Sequence, residues 1–212
     1  MDKTYAIFDI DGTLLDSMPY WKQLDLEFFH RHGLHDVPPS IRERTVALTM
    51  EESARVFIDE LGMEGTPESI AEEFFTLMAE HYVKDVKVKE GVLEYLEKLK
   101  RKGVQMCAAS ATPTFLLLPV LQRLGVAPYL SFVLCCDDVG EGKHSPKVYL
   151  EAMKRMGGTL GETAVYEDSH RALTTAKNAG FYSIAVYDED SRPYWEEMTR
   201  MADEVIFDWR DQ

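Results

Sequence analysis

Positive charge is scarce in this chain: 23 Lys and Arg stand against 37 Asp and Glu in 212 residues, a formal net charge of −14. A surface of that sign repels nucleic-acid backbones and anionic bilayers, so neither is expected as the main partner. Small anionic ligands stay open, because a bound divalent ion and a few local cations set the field inside a site. Cysteine is scarce too. Cys107, Cys135 and Cys136 are odd in number and lack metal-ligand spacing. They read as reduced thiols of a cytoplasmic protein, not as a disulfide framework. No apolar run approaches the ~18 residues that span a bilayer, and the chain enters a strand pattern without the regions of a signal peptide. Repeats and low-complexity stretches are also missing. The expectation is a cytoplasmic monomer acting without membrane or nucleic acid.

What is present suffices for a substantial core, since 45% of residues are hydrophobic. Apolar strand patterns run over Tyr5 to Phe8, Val104 to Ala109, Phe132 to Cys135, Thr163 to Tyr166 and Ser183 to Val186, with a short edge candidate at Val205 to Phe207. Helical patterns lie between them, at Gly91 to Lys102, Thr114 to Leu124, Pro146 to Met156 and Arg171 to Ala179. Each is followed by a glycine near its end (Gly103, Gly125, Gly157, Gly180), as helix C-caps prefer. Alternation of this kind predicts an α/β fold with a Rossmann-like, mostly parallel sheet, whose ligands bind outside the carboxyl ends of the strands.

One stretch interrupts the alternation. Residues 16–82 read as wholly helical, so the core is expected from 1–15 and 83–212 with a helical cap inserted between. Within it Ser40-Ile-Arg-Glu43 has capping-box spacing, Met50 to Leu61 ends at Gly62, and Thr66-Pro67 opens another helix. An insertion directly after the first strand sits above the sheet's carboxyl edge, where a lid belongs.

The first strand runs straight into Asp9 and Asp11, then Gly12 and Thr13. At a period of two, both carboxylates can face the same side. Like charges so close are costly unless a cation lies between them or one holds a proton. A surface strand end with an Asp-Gly turn is the plain alternative. The other strand ends weigh against it. Ser110, with Ala111 and Thr112, follows the second strand; Glu167, Asp168 and Ser169 follow the fourth; Lys143 and Lys147 lie in and after the loop before the Pro146 helix. Each alone is an ordinary cap or a solvated lysine; in this order they converge on one sheet edge.

These four segments, Asp9-Ile-Asp11-Gly-Thr13, Ser110, Gly142-Lys143-His-Ser-Pro146-Lys-Val-Tyr149 and Glu167-Asp168-Ser169, resemble the signatures of the haloacid dehalogenase superfamily, in the subgroup with a helical cap after the first strand. The resemblance covers essentially the whole chain. It implies a Rossmann-like core, Mg²⁺ dependence and usually phosphoryl transfer. By resemblance, Asp9 is the nucleophile that forms an aspartyl-phosphate and binds the metal, and Asp11 the general acid and base, lending its backbone carbonyl to the metal. Ser110 and Ala111 would bind the phosphoryl group, Lys143 would neutralise it, and Asp168 with Glu167 would complete the metal shell.

Two departures stand out. His144 replaces the first proline of the usual Lys-Pro-x-Pro, leaving Lys147 as a rival to Lys143, and Ala172 stands where the fourth motif often has glycine. Asp11 bears on the reaction, since an alkoxide leaving group benefits from a proton donor by roughly 10²–10⁴ and a halide needs none. The expected activity is therefore a Mg²⁺-dependent phosphatase on a small phosphorylated metabolite. A β-phosphoglucomutase-like phosphotransferase is the alternative, and a non-enzymatic phospho-accepting signalling domain a distant one. In the cap, Trp21 and Arg44 are the candidate substrate contacts, with Met18, Tyr20, Gln23, Arg42 and Thr45 nearby.

Overall fold

A computed structural model describes residues 2–45 and 48–212. Its core is a six-stranded parallel sheet of β1 (Tyr5–Phe8), β4 (Gln105–Ser110), β5 (Val133–Cys135), β6 (Thr163–Glu167), β7 (Tyr182–Val186) and β8 (Glu204–Ile206), in the order β5-β4-β1-β6-β7-β8. Alternation sorts β1 between two faces. Ala6 and Phe8 join a core with Met106 and Ala108, while Ile7 joins another with Cys107, Ala109 and Val165. Helices α5 (Val92–Arg101) and α6 (Thr114–Arg123) cover the first face. Helix α7 (Lys147–Met156) covers the second through Val148, Tyr149 and Ala152. Helices α8 (His170–Asn178) and α9 (Trp195–Met201) close the side of β7. Among the described residues no helix is long and apolar enough to cross a membrane.

Register then fixes the site. Phe8, the last residue of β1, is level with Ala108 on one side and Tyr166 on the other, so β6 ends one residue and β4 two residues beyond it at the same edge. The chain order reverses between β1 and β6, and ligands of open α/β sheets bind at such a reversal. Backbone pairing continues one residue further, with Asp9 N–H donating to Tyr166 C=O at 3.0 Å.

Four helices rise from this edge: α1 (Met18–Arg31), α2 (Pro39–Thr45), α3 (Met50–Leu61) and α4 (Pro67–Lys84). They pack on an aromatic core in which Phe28 meets Phe74 at 5.1 Å and Phe29 meets Phe57 at 5.0 Å, both edge to face. Burying each such ring stabilises the cap by roughly 1.5–3 kcal/mol.

Three details differ from expectation. Helix α2 begins at Pro39, so Ser40 lies within its first turn and the capping box forms instead at Thr49. There Thr49 N–H donates to Glu52 Oε2 at 2.7 Å and Glu52 N–H to Thr49 Oγ1 at 3.1 Å. Helix α4 runs on to Lys84. The entry and exit of the insertion also pair with each other as β2 (Leu15–Asp16) and β3 (Lys87–Val88), antiparallel. Strands of two residues leave no periodicity to read.

Candidate active site

The carboxyl ends of β1, β4 and β6 bring Asp9, Ser110, Glu167 and Asp168 together, all 5% exposed or less. Lys143 enters from the loop before α7 and is 4% exposed. Its ammonium pairs with Asp9 Oδ1 and, at 2.6 Å, with Glu167 Oε1. Burial alone would lower the Lys143 pKa, but the charges of Asp9 and Glu167 outweigh it and hold the ammonium protonated. Lys147, the rival, is exposed and pairs with Glu141. Tyr149 O–H donates to the same Glu167 oxygen at 2.6 Å.

Asp11 turns towards the cap. Ser17 Oγ–H and Trp21 Nε1–H donate to its Oδ1 at 2.7 and 3.1 Å, Tyr82 O–H donates to the same oxygen, and Thr112 Oγ1–H donates to Oδ2 at 2.8 Å. Burial first, then the Asp9 charge, pushes Asp11 up to about 6, against the pull of those hydrogen bonds. Gly12 follows with φ +80°, and a Cβ there would lie 2.2 Å from Asp168 Oδ2. Only glycine therefore admits the Asp168 carboxylate, whose Oδ1 accepts from Thr13 Oγ1–H at 3.0 Å.

A family model for haloacid dehalogenase-like hydrolases matches residues 6–186, from β1 through β7. The chain belongs to that family. A phosphorylated carbohydrates phosphatase of Thermotoga maritima is 26% identical over 179 residues, 84% of this chain and 82% of that protein. Two solved structures share the fold. CbbY of Rhodobacter sphaeroides in complex with phosphate has a TM-score of 0.83 at 19% identity, over 99% of this chain and 96% of that one. A β-phosphoglucomutase of Clostridium difficile has a TM-score of 0.80 at 18% identity, over 99% and 92%.

The dehalogenase-like site carries a charge imbalance that suits a metal ion. Carboxylate oxygens of Asp9, Glu167 and Asp168 lie within 4.8 Å of one another. Against these three charges stands the Lys143 ammonium that pairs with two of them, leaving two negative charges, which one divalent cation would balance. Burial, then the Asp9 charge among others, drives Asp168 well up; burial also raises Glu167, against the Lys143 charge. A hard divalent ion reverses that preference, and an all-oxygen donor set is the kind Mg²⁺ takes. The Asp11 side chain, occupied by its four donors, is not part of this cluster.

Above the carboxylates, a cavity of about 340 Å³ separates the sheet edge from the cap of the hydrolase. Ser110, Ala111, Thr112 and Lys143 line its floor, and Trp21, Phe29, Phe57 and Phe74 line its roof. Trp21 is thus both a cavity wall and a donor to Asp11. Arg44 is a correction: it is exposed, bonds Glu60 at 2.6 Å, and is not among the residues lining the cavity, whereas Arg42 is. Sequence reasoning missed Tyr82 and Ser17 as partners of Asp11. Ser17, closing the loop after the motif, was the readable one; Tyr82 lies 71 residues away in sequence.

Proposed function

We propose that the chain is a Mg²⁺-dependent phosphatase that hydrolyses a small phosphorylated metabolite of the cytoplasm through an aspartyl-phosphate on Asp9. The observation that carries this reading is the pairing of Asp9, clamped by a buried lysine, with an Asp11 poised near neutral pH, both open to one cavity. The phosphatase named among the relatives supports it. The same reading divides the chain into a catalytic core, 1–15 and 83–212, and a cap, 16–82.

In the first half-reaction an Asp9 carboxylate oxygen attacks phosphorus and the bond to the ester oxygen breaks. Asp11, protonated, gives its proton to the departing alkoxide. In the second, Asp11 takes a proton from water as that water attacks phosphorus, the bond to Asp9 breaks and phosphate leaves. Ser110 and the N–H of Ala111 face the transferring group, and Lys143 neutralises charge on its oxygens and on Asp9. Asp9, Asp168 and Glu167 would hold Mg²⁺, with the Asp11 backbone carbonyl as a further oxygen donor. Such an ion supplies additional neutralisation of the phosphoryl oxygens. A β-phosphoglucomutase-like phosphotransferase would use the same floor but need a roof that holds a second phosphate.

The test is phosphate release from p-nitrophenyl phosphate and a panel of alkyl phosphates, with Mg²⁺ and with EDTA. Asp9→Asn is expected to abolish turnover, since an amide cannot serve as the nucleophile. Wild-type rates in that variant would sink the assignment.

A further inference from the structure

On the phosphatase reading a phosphoryl group sits at Asp9 and the rest of the substrate faces the cap wall. That wall is mostly apolar, with Met18, Trp21, Phe29, Phe57, Phe74 and Phe75 on the cavity. Four charged side chains of the roof and rim interrupt it: Lys22, Asp25, Arg42 and Asp190. Lys22 and Asp190 neutralise each other across the cap–core boundary. Asp25 and Arg42 are different. Neither side chain has a hydrogen bond or a salt bridge to another described residue; the Arg42 carbonyl accepts from Thr45 Oγ1–H at 3.1 Å within helix α2. The Arg42 guanidinium instead rests 5.6 Å from the centre of the Phe29 ring. Its charge opposes the effect of burial on the Asp25 carboxyl, so the two fields overlap although the groups do not pair. Every other charged residue lining the cavity, among those described, has a partner: Asp9 and Glu167 have Lys143, Asp11 its four donors, and Asp168 has Thr13.

A cation and an anion on one cavity wall, each with open hydrogen-bonding capacity, make a selective surface. A carboxylate or second phosphate at this wall would satisfy Arg42 but confront Asp25 in an apolar surrounding, where like charges interact strongly. An ammonium group would satisfy Asp25 and confront Arg42. A hydroxyl suits both, because it donates to the carboxylate and accepts from the guanidinium, and the aromatic side chains fit the C–H faces of a polyol. We infer that Asp25 and Arg42 read a neutral, hydroxylated end of the substrate, and that Asp25 is the residue that rejects a second anionic group. The substrate class is then the phosphate monoester of a polyhydroxylated carbon skeleton, without a distal carboxylate or phosphate.

Two matched pairs test this: glycerol 3-phosphate against 3-phosphoglycerate, and sorbitol 6-phosphate against 6-phosphogluconate. Within each pair only the terminal CH₂OH becomes a carboxylate, and the two lengths probe different reaches into the cavity. The readout is the ratio of kcat/KM for alcohol over acid, which the fraction of folded enzyme in a preparation does not alter. Wild type is expected to favour the alcohol by about tenfold or more in at least one pair. Asp25→Asn should shrink that ratio by about tenfold, mainly through a lower KM for the acid, because Arg42 is left unopposed. Arg42→Gln should move the ratio the opposite way. A wild-type ratio of one or less, or a ratio untouched by Asp25→Asn, overturns the inference. Absence of metal-dependent release even from p-nitrophenyl phosphate would instead remove the phosphatase reading beneath it.

Discussion

Replacing Asp11 with Asn separates what this carboxyl does for the fold from what it does for the chemistry. Burial and the adjacent Asp9 charge raise its pKa from 3.8 to about 6, despite hydrogen bonds from Ser17, Trp21 and Thr112 that favour the ionised form. A carboxyl that holds its proton more tightly folded than unfolded favours folding only at low pH. Below about pH 4 both states carry the proton; as pH rises towards 6 the unfolded state ionises first and stability falls. At 1.36 kcal/mol per unit the interval is worth about 3 kcal/mol, or about 2 kcal/mol once water at the partly exposed edge of the residue is allowed for. Asparagine carries no such pH dependence and can keep the geometry. Its carbonyl can accept from Ser17, Trp21 and Tyr82, while its amide donates to the Thr112 hydroxyl, which accepts as readily as it donates.

The assay is urea unfolding in EDTA, wild type beside variant, from pH 4 to pH 8. The stability difference, variant minus wild type, should climb by about 2 kcal/mol up to about pH 6 and then level off. In the same variant, release from alkyl phosphates should drop by about 10²–10⁴, and from activated aryl phosphates by much less. Parallel stability curves would refute the reasoning, because they would mean that the folded environment does not hold the Asp11 proton.

Lys143→Met should abolish turnover and cost about 3–5 kcal/mol of metal-free stability, since it strands the buried charges of Asp9 and Glu167. Lys147→Met, breaking an exposed pair with Glu141, should cost no more than about 1 kcal/mol and leave turnover near wild type. Turnover retained without Lys143 and lost without Lys147 would reverse their roles. Mg²⁺ should raise the melting temperature more at pH 8 than at pH 5. The raised pKa values of Glu167 and Asp168 make the metal-free fold less stable as pH rises, and the ion binds the deprotonated carboxylates. Equal shifts at both pH values would count against this carboxylate set as the binding site.

Much of the floor of the site was legible because it hangs on strand ends. Apolar runs mark β1, β4 and β6, and the residues just after them, Asp9, Ser110, Glu167 and Asp168, must share an edge if the strands are parallel and in register. The two lysines could not be separated that way. They stand four residues apart, one in the loop and one at the start of α7, and only the three-dimensional path of that loop carries Lys143 inward to Asp9 and leaves Lys147 outside on Glu141. The roof was less legible still. Arg42 and Arg44 are two residues apart, about 200° around a helix, so they cannot face the same way. Choosing between them requires the buried face of α2, which a seven-residue helix with one buried side chain, Ile41, hardly advertises.

Tyr82 was the least legible of all, and it shows why the insertion point matters more than the composition of the insert. The helical segment runs from Met18 to Lys84, and β2 pairs with β3 to tie its entry and exit together. Its beginning therefore places Ser17 and Trp21, and its end places Tyr82, around one oxygen of one carboxyl. Local sequence pattern hints at Ser17 alone, six residues after Asp11; Trp21 and Tyr82 follow from topology, since a segment that starts and ends at the same sheet edge must bring both ends to whatever stands there. Asp11 stands there. Its second oxygen is held by Thr112 from the core, and Thr112 lines the cavity floor with Ser110.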